Sequence, residues 1–204
     1  MTKFFYALLL VFISVTLFAC APQKIDADAV AVDITVECEK ETRYCRGFLY
    51  DDKIITTAHI FDGIDLAQSI CTVNNMTIPS IQASVLFIDD DIDVALLTSP
   101  TYVKTIVVPT VKLNDAVTVS GGTKCRITGV TECDGKDKPL KLIKIDAYLP
   151  KGTSGAPVFN DKGDVIGIIA ARDKNGKNSY AISGIDILAV IKAYKTSQTT
   201  INMD

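Results

Sequence analysis

The chain has no tryptophan and, among its 204 residues, only one histidine, His59. A lone histidine cannot build a multi-histidine metal centre. No C-x-x-C pair occurs either, so no zinc site or other metal is expected. Charge of either sign is in short supply as an excess: 21 lysines and arginines meet 24 aspartates and glutamates, leaving −3. Nucleic acid, which calls for a basic face, is therefore not an expected partner. No internal repeat or low-complexity tract is visible, and nothing calls for a cofactor. The longest apolar run, Phe4 to Phe18, falls short of the roughly 20 residues of a spanning helix.

What is present is ordinary for a globular protein: 48% hydrophobic and 22% charged residues, enough for one domain or two small lobes sharing a core. Residues 1–20 read as a signal peptide, with Lys3 before the apolar run. The run ends in Leu17-Phe18-Ala19-Cys20, which resembles a bacterial lipobox except that Phe18 stands where a small residue is usual. The expectation is export with lipidation at Cys20, hence a membrane anchor. Ala21 is not the aspartate of an inner-membrane retention signal, which points to the outer membrane. Ordinary cleavage between the small residues Ala19 and Ala21, or a retained helical anchor, are the alternatives. Residues 21–29 form a short tether.

An exported chain can form disulfides. Cys38 and Cys45 bracket a polar turn, and Cys125 and Cys133 flank Gly129, so each pair could face across a hairpin. Cys71 is left as a small buried hydrophobe. Short β-branched, apolar runs punctuated by Gly, Pro, Asn and Asp predict strands at 29–36, 46–50, 53–58, 69–73, 81–88, 94–98, 106–108, 116–119, 125–130, 141–147, 156–159, 165–171 and 179–182. Asp51-Asp52-Lys53 is the turn between the second and third. So many short strands predict an all-β sandwich or barrel. From Gly184 to Lys195, Ile187, Leu188, Val190, Ile191 and Tyr194 share one face at helical spacing, so a closing helix is predicted, with 196–204 frayed.

Three stretches carry chemistry. Lys151-Gly152-Thr153-Ser154-Gly155-Ala156-Pro157 is a sharp turn entering a strand. Gly152 allows the backbone to aim its own N–H and that of Ser154 at one point, an oxyanion hole, with the Ser154 hydroxyl beside it as nucleophile. A plain surface turn has the same composition, so the reading depends on a base and an acid elsewhere. His59 follows the buried strand ending Thr56-Thr57-Ala58. Among Asp89, Asp90, Asp91 and Asp93, the last opens the apolar run Val94-Ala95-Leu96-Leu97, where a carboxylate needs a donor such as an imidazole N–H. Asp91 is the fallback.

Taken together, His59, Asp93 and Ser154 with their flanks, in that order, resemble the trypsin-like (chymotrypsin-fold) serine peptidases. The stretch Gly152 to Asn160, followed by Val165-Ile166-Gly167-Ile168, is most similar to the bacterial glutamyl-endopeptidase and HtrA-like branches. The resemblance implies two six-stranded antiparallel β-barrels at about 30–108 and 112–183, a C-terminal α-helix at about 184–195, and a cleft between the barrels. It implies a catalytic triad of His59, Asp93 and Ser154 acting on a protein or peptide, with Gly152 and Ser154 as the oxyanion hole. Tyr148 would lie at the base of the substrate pocket, and Ala170, Ala171 and Arg172 along its wall. Ile60 replaces a cysteine common in animal members, removing a tie to the preceding strand and leaving Cys45 to pair differently. Ile169 stands where glutamyl-specific members carry histidine, and no acid occupies the pocket base, so a small or medium apolar residue is the expected preference. The rival functions are a catalytically silent, protease-shaped binding or inhibitor protein, and a plain envelope lipoprotein.

Overall fold

The computed structural model describes residues 27–76, 78–133, 139–174 and 176–201. The leader, its lipobox and Cys20 lie outside the described residues, as does all but the end of the tether. Among the described residues no helix is long and apolar enough to cross a membrane.

Among the described residues a single helical turn, α1 (Ala27–Val30), leads into twelve strands. The first lobe contains β1 (Ala31–Glu37), β2 (Thr42–Thr56), β3 (Ile70–Asn74), β4 (Ile81–Gln82), β5 (Val85–Asp89) and β6 (Val94–Val103). They form a six-stranded antiparallel sheet in the order β4-β3-β1-β2-β6-β5. The sheet's two ends are one stretch of chain. Ala83 N–H donates to Cys71 O on one side (2.9 Å), and Thr98 N–H to Ser84 O on the other (2.9 Å). The predicted turn at Asp51 is real. Asp51 has φ 52°, and beyond it β2 runs back along itself, with Thr56 Oγ1 donating to Arg46 O (2.6 Å). The second lobe contains β7 (Ala116–Val119), β8 (Thr123–Cys133), β9 (Leu140–Ile145), β10 (Pro157–Phe159), β11 (Val165–Arg172) and β12 (Ser179–Ser183). These close into a barrel, β10-β11-β12-β9-β8-β7. The all-β prediction of two six-stranded antiparallel units describes this molecule, the second closed and the first a sheet whose ends meet through residues 83–84.

Three apolar cores explain why so many strands are buried on both faces. One fills the first lobe and includes Ile34, Ile54, Ala95 and Leu97. One fills the second and includes Ile127, Ile166, Ile169 and Ala181. The third joins the lobes. Ile55, Val94 and Leu96 from the first meet Val165, Ile168 and Ile182 from the second. Successive strand residues point to opposite faces, so Ile54/Ile55 and Ala95/Leu96 each serve two cores.

The helix α2 (Gly184–Ile201) adds Ile187, Val190 and Ile191 to the joining core. It runs past Lys195, so residues 196–201 are helical rather than frayed. Ser183 caps its start, accepting from Asp186 N–H (3.4 Å) and donating to Asp186 Oδ2 (2.5 Å).

The disulfides that the sequence allowed are not made: among the described residues no S–S bond joins Cys38, Cys45, Cys71, Cys125 or Cys133. Register is the reason. β1 and β2 pair so that Cys45 faces Ile34 with its side chain in the first core, while Cys38 sits beyond the end of the ladder and its thiol donates to Glu41 O. Cys125 and Cys133 lie on the same strand, β8, about 26 Å apart along an extended chain. The feature at Gly129 is a bulge against β9, not a hairpin.

Candidate active site

His59 lies in a 3₁₀ turn, Ala58–Phe61, that leaves the end of β2. The chain has to leave the sheet here, because Thr56, Thr57 and Ala58 are buried and Asp62 onward meets solvent. Asp93 immediately precedes β6, the neighbour of β2, and takes φ 61°, a left-handed conformation that aspartate tolerates better than most residues. That kink turns its carboxylate onto the histidine. His59 Nδ1 lies 2.9 Å from Asp93 Oδ2 and 3.1 Å from Oδ1, and the His59 backbone N–H donates to Oδ1 (2.8 Å). Ala58 N–H donates to Asp93 O (3.2 Å), fixing the two segments to each other. The carboxylate bond raises the His59 pKa above its ordinary 6.5, against a partial lowering by burial. Of the other aspartates, Asp89 accepts from Ile92 N–H and caps the turn (3.0 Å). Asp90 and Asp91 line the cavity in front of His59, and the bond to the imidazole comes from Asp93.

The structure supplies the tie that a cysteine at Ile60 would have made. Arg43 reaches from β2 to the His59 turn, where Nη1 donates to Ile60 O (2.9 Å) and Asp62 O (2.8 Å). Its Nε and Nη2 both bond Glu41 Oε1 (2.8 and 2.5 Å). Sequence reading missed Arg43. No local motif marks it, because its partners are carbonyls seventeen or more residues away.

Ser154 belongs to the turn before β10 and is held against the first lobe. Arg46 N–H donates to Ser154 O (2.7 Å). Gly155 N–H donates to Ile169 O (2.6 Å), and Ala156 N–H closes the turn onto Thr153 O (2.9 Å). Gly155 has φ 79°, and a Cβ there would collide with Arg46 O and the Thr56 hydroxyl. Glycine is required twice over, and the Ser154 turn thereby docks three residues upstream of His59. Gly152 takes φ 87°. Among the described residues, neither its N–H nor that of Ser154 donates to another group, and the Ser154 hydroxyl makes no hydrogen bond.

Two cavities flank this junction. One, of about 580 Å³, contains His59, Asp62, Asp90, Asp91 and Asp93 along one side and Leu140, Leu142 and Cys133 along the other. The second, of about 260 Å³, contains Gly152, Thr153 and Ser154 with Lys151, Ile169, Arg172 and Ser179. Ala170 and Ala171 line both, so the two cavities adjoin along this segment of β11. Of the four residues expected at a substrate pocket, Ala170, Ala171 and Arg172 line this second cavity. Tyr148 is not at its base. It is 54% exposed and lies outside, bonded through its hydroxyl to Arg172 Nη1 (2.7 Å). The buried floor is formed instead by Ile169 and Ser179, the latter donating to Ala147 O (2.8 Å).

The described residues contain no group of three or more His, Cys, Asp and Glu side chains able to hold a metal. Among curated proteins none matches the chain. Solved structures that resemble it include the Rv3671c protease of M. tuberculosis in its active form (TM-score 0.69, 19% identity, 81% of each chain covered). Others are the HtrA-type protease AlgW with a tripeptide (TM-score 0.70, 17% identity, 84% of this chain and 63% of that one) and the serine endoprotease from Yersinia pestis (TM-score 0.66, 17% identity, 82% and 63%). At these identities the likeness speaks to fold. A trypsin-like peptidase domain model matches residues 45–168, more than half of the sequence, and on that match the chain belongs to the trypsin-like peptidases and is a serine endopeptidase.

Proposed function

We propose that the protein cleaves peptide bonds through Ser154, His59 and Asp93 by way of an acyl-enzyme. The observation that carries this is the His59–Asp93 pair, bonded at 2.9 Å through Nδ1 and lining a cavity that shares Ala170 and Ala171 with the cavity of Ser154. Asp93 on Nδ1 leaves Nε2 as the nitrogen directed at chemistry, since a bound Nδ1–H fixes the tautomer. Ser154 Oγ attacks the scissile carbonyl while His59 Nε2 takes its proton. The unbonded N–H groups of Gly152 and Ser154 receive the oxyanion. His59 then passes the proton to the leaving amine, and water releases the acyl group by the same steps in reverse. The substrate lies extended along Ala170–Arg172, whose one edge pairs with β12 while the other faces the cleft beyond the end of β10.

A fluorophosphonate probe should label the wild type and not Ser154→Ala, whose kcat should fall by about 10⁶. A folded wild type that takes no label overturns this reading in favour of a silent binding protein. We also propose that the enzyme works from a membrane surface, held by lipid on Cys20. Cys20→Ser should move the protein from the membrane to the soluble fraction, and unchanged fractionation removes the anchor.

A further inference from the structure

The cavity beside Ser154 is built around a cation. Arg172 enters its wall with the guanidinium already fixed, since Nη1 donates to Tyr148 Oη (2.7 Å) and Leu149 O (3.3 Å). The group also stands over the Tyr148 ring, 5.1 Å from its centroid. These contacts use both Nη1 protons. A guanidinium has five N–H donors in a planar fork, so Nε–H and Nη2–H remain as a parallel pair along one edge. No carboxylate among the described residues pairs with them. The adjacent Asp173 turns elsewhere, accepting from Lys177 N–H (2.8 Å) and Asn178 Nδ2 (2.9 Å). Lys151 brings a second positive charge to the same cavity, and no acid lines it. The acids of the cleft, Asp62, Asp90, Asp91 and Asp93, all line the other cavity.

We infer that this cavity receives an acidic side chain, so that the residue donating the scissile carbonyl is glutamate or aspartate. The inference rests on the catalytic reading above, because that reading places the attacked carbonyl at Ser154, in the cavity Arg172 lines. The volume, about 260 Å³, lies below the roughly 300–1,000 Å³ of drug-sized pockets and suits one side chain. A carboxylate there accepts the Nε and Nη2 donors side by side, the geometry in which arginine binds carboxylates most strongly. A lysine or arginine would meet like charge. An apolar side chain would cover the guanidinium edge without replacing the hydrogen bonds it makes to water. The expectation of an apolar preference followed from the absence of the usual histidine at Ile169. It did not account for a cation reaching the cavity from three residues further along β11. Tyr148 is a positioning residue that holds the fork in register.

The test uses peptides differing only in the residue before the cut, Glu, Asp, Gln, Leu or Lys, with rates normalised to probe-labelled enzyme. The expected result is a kcat/KM for Glu or Asp at least about tenfold above Gln, since a site built to bond a polar group rejects the analogue that cannot satisfy it. In Arg172→Met the Glu-to-Gln ratio should fall to near unity. Arg172→Lys should retain part of it, and Tyr148→Phe should lower it several-fold. Equal cleavage of Gln or Leu by labelled wild type, or a ratio that survives in Arg172→Met, overturns this inference alone. No labelling and no cleavage overturns the catalytic reading and this one with it.

Discussion

At the scale of single residues, the proposed mechanism turns on the protonation of one imidazole. His59 must be neutral to accept the Ser154 proton, and Asp93 favours its charged form. The acidic limb of kcat/KM, which reports the free enzyme, should therefore lie above pH 6.5. Asp93→Asn should move that limb downward and cost about 10⁴ in kcat, because an amide NH2 can donate to Nδ1 and favour the wrong tautomer where a carboxylate only accepts. The same pair has a consequence for stability with a definite sign. A pKa raised on folding contributes stability that is complete below the unfolded-state value and is lost as pH rises through the folded-state value. The pair therefore stabilises the fold most in mild acid, where the enzyme is least active. A melting series against pH, comparing wild type with Asp93→Asn, reads this directly.

At the scale of elements, what could be read from the sequence was whatever local pattern encodes. The strands alternate or run apolar, the turns carry Gly and Asp, and α2 shows its stripe, so all of these were legible. His59, Asp93 and Ser154 were legible because each sits at a strand end, where a polar residue interrupts an apolar run for a reason. Register was not legible, because it is set by which strands meet across the barrel. That is why a hairpin between Cys125 and Cys133 looks possible from the sequence where there is one strand with a bulge. The end of α2 was missed because its last turns are polar and their hydroxyls bond carbonyls one turn back, as Thr196 does to Lys192. Arg43 was missed for the same non-local reason. Its contacts join β2 to the turn carrying His59, so it positions the base without touching substrate. Arg43→Ala should lower kcat about ten- to a hundred-fold with a smaller change in KM, since small misplacements of catalytic groups cost that much. An unchanged acidic limb would separate this positional loss from a change in the His59–Asp93 pair, and Arg43→Lys should recover part of the rate.

At the scale of the whole molecule, stability comes from packing and not from covalent staples. Three cores hold two lobes and a helix together, and Cys45 and Cys71 contribute as buried apolar groups. Burial pushes Cys45 up to about 12, and Cys71 and Cys125 up to about 11, so none is a ready nucleophile at neutral pH. A thiol reagent should modify Cys45 and Cys71 only on unfolding, and reductant should leave the melting temperature unchanged. A drop of several degrees would mean that bridges form after all. The joining core also governs when the protein can act. The imidazole and its carboxylate belong to the first lobe, and the serine turn is shaped by contacts with that lobe's Arg46 and Thr56. A nascent or clipped polypeptide that stops short of residue 154 holds a base with nothing to activate. One whose lobes have not yet docked holds both halves of a tool that is not assembled. On the proposed mechanism, activity therefore waits on the docking of the two lobes, which the joining core brings about.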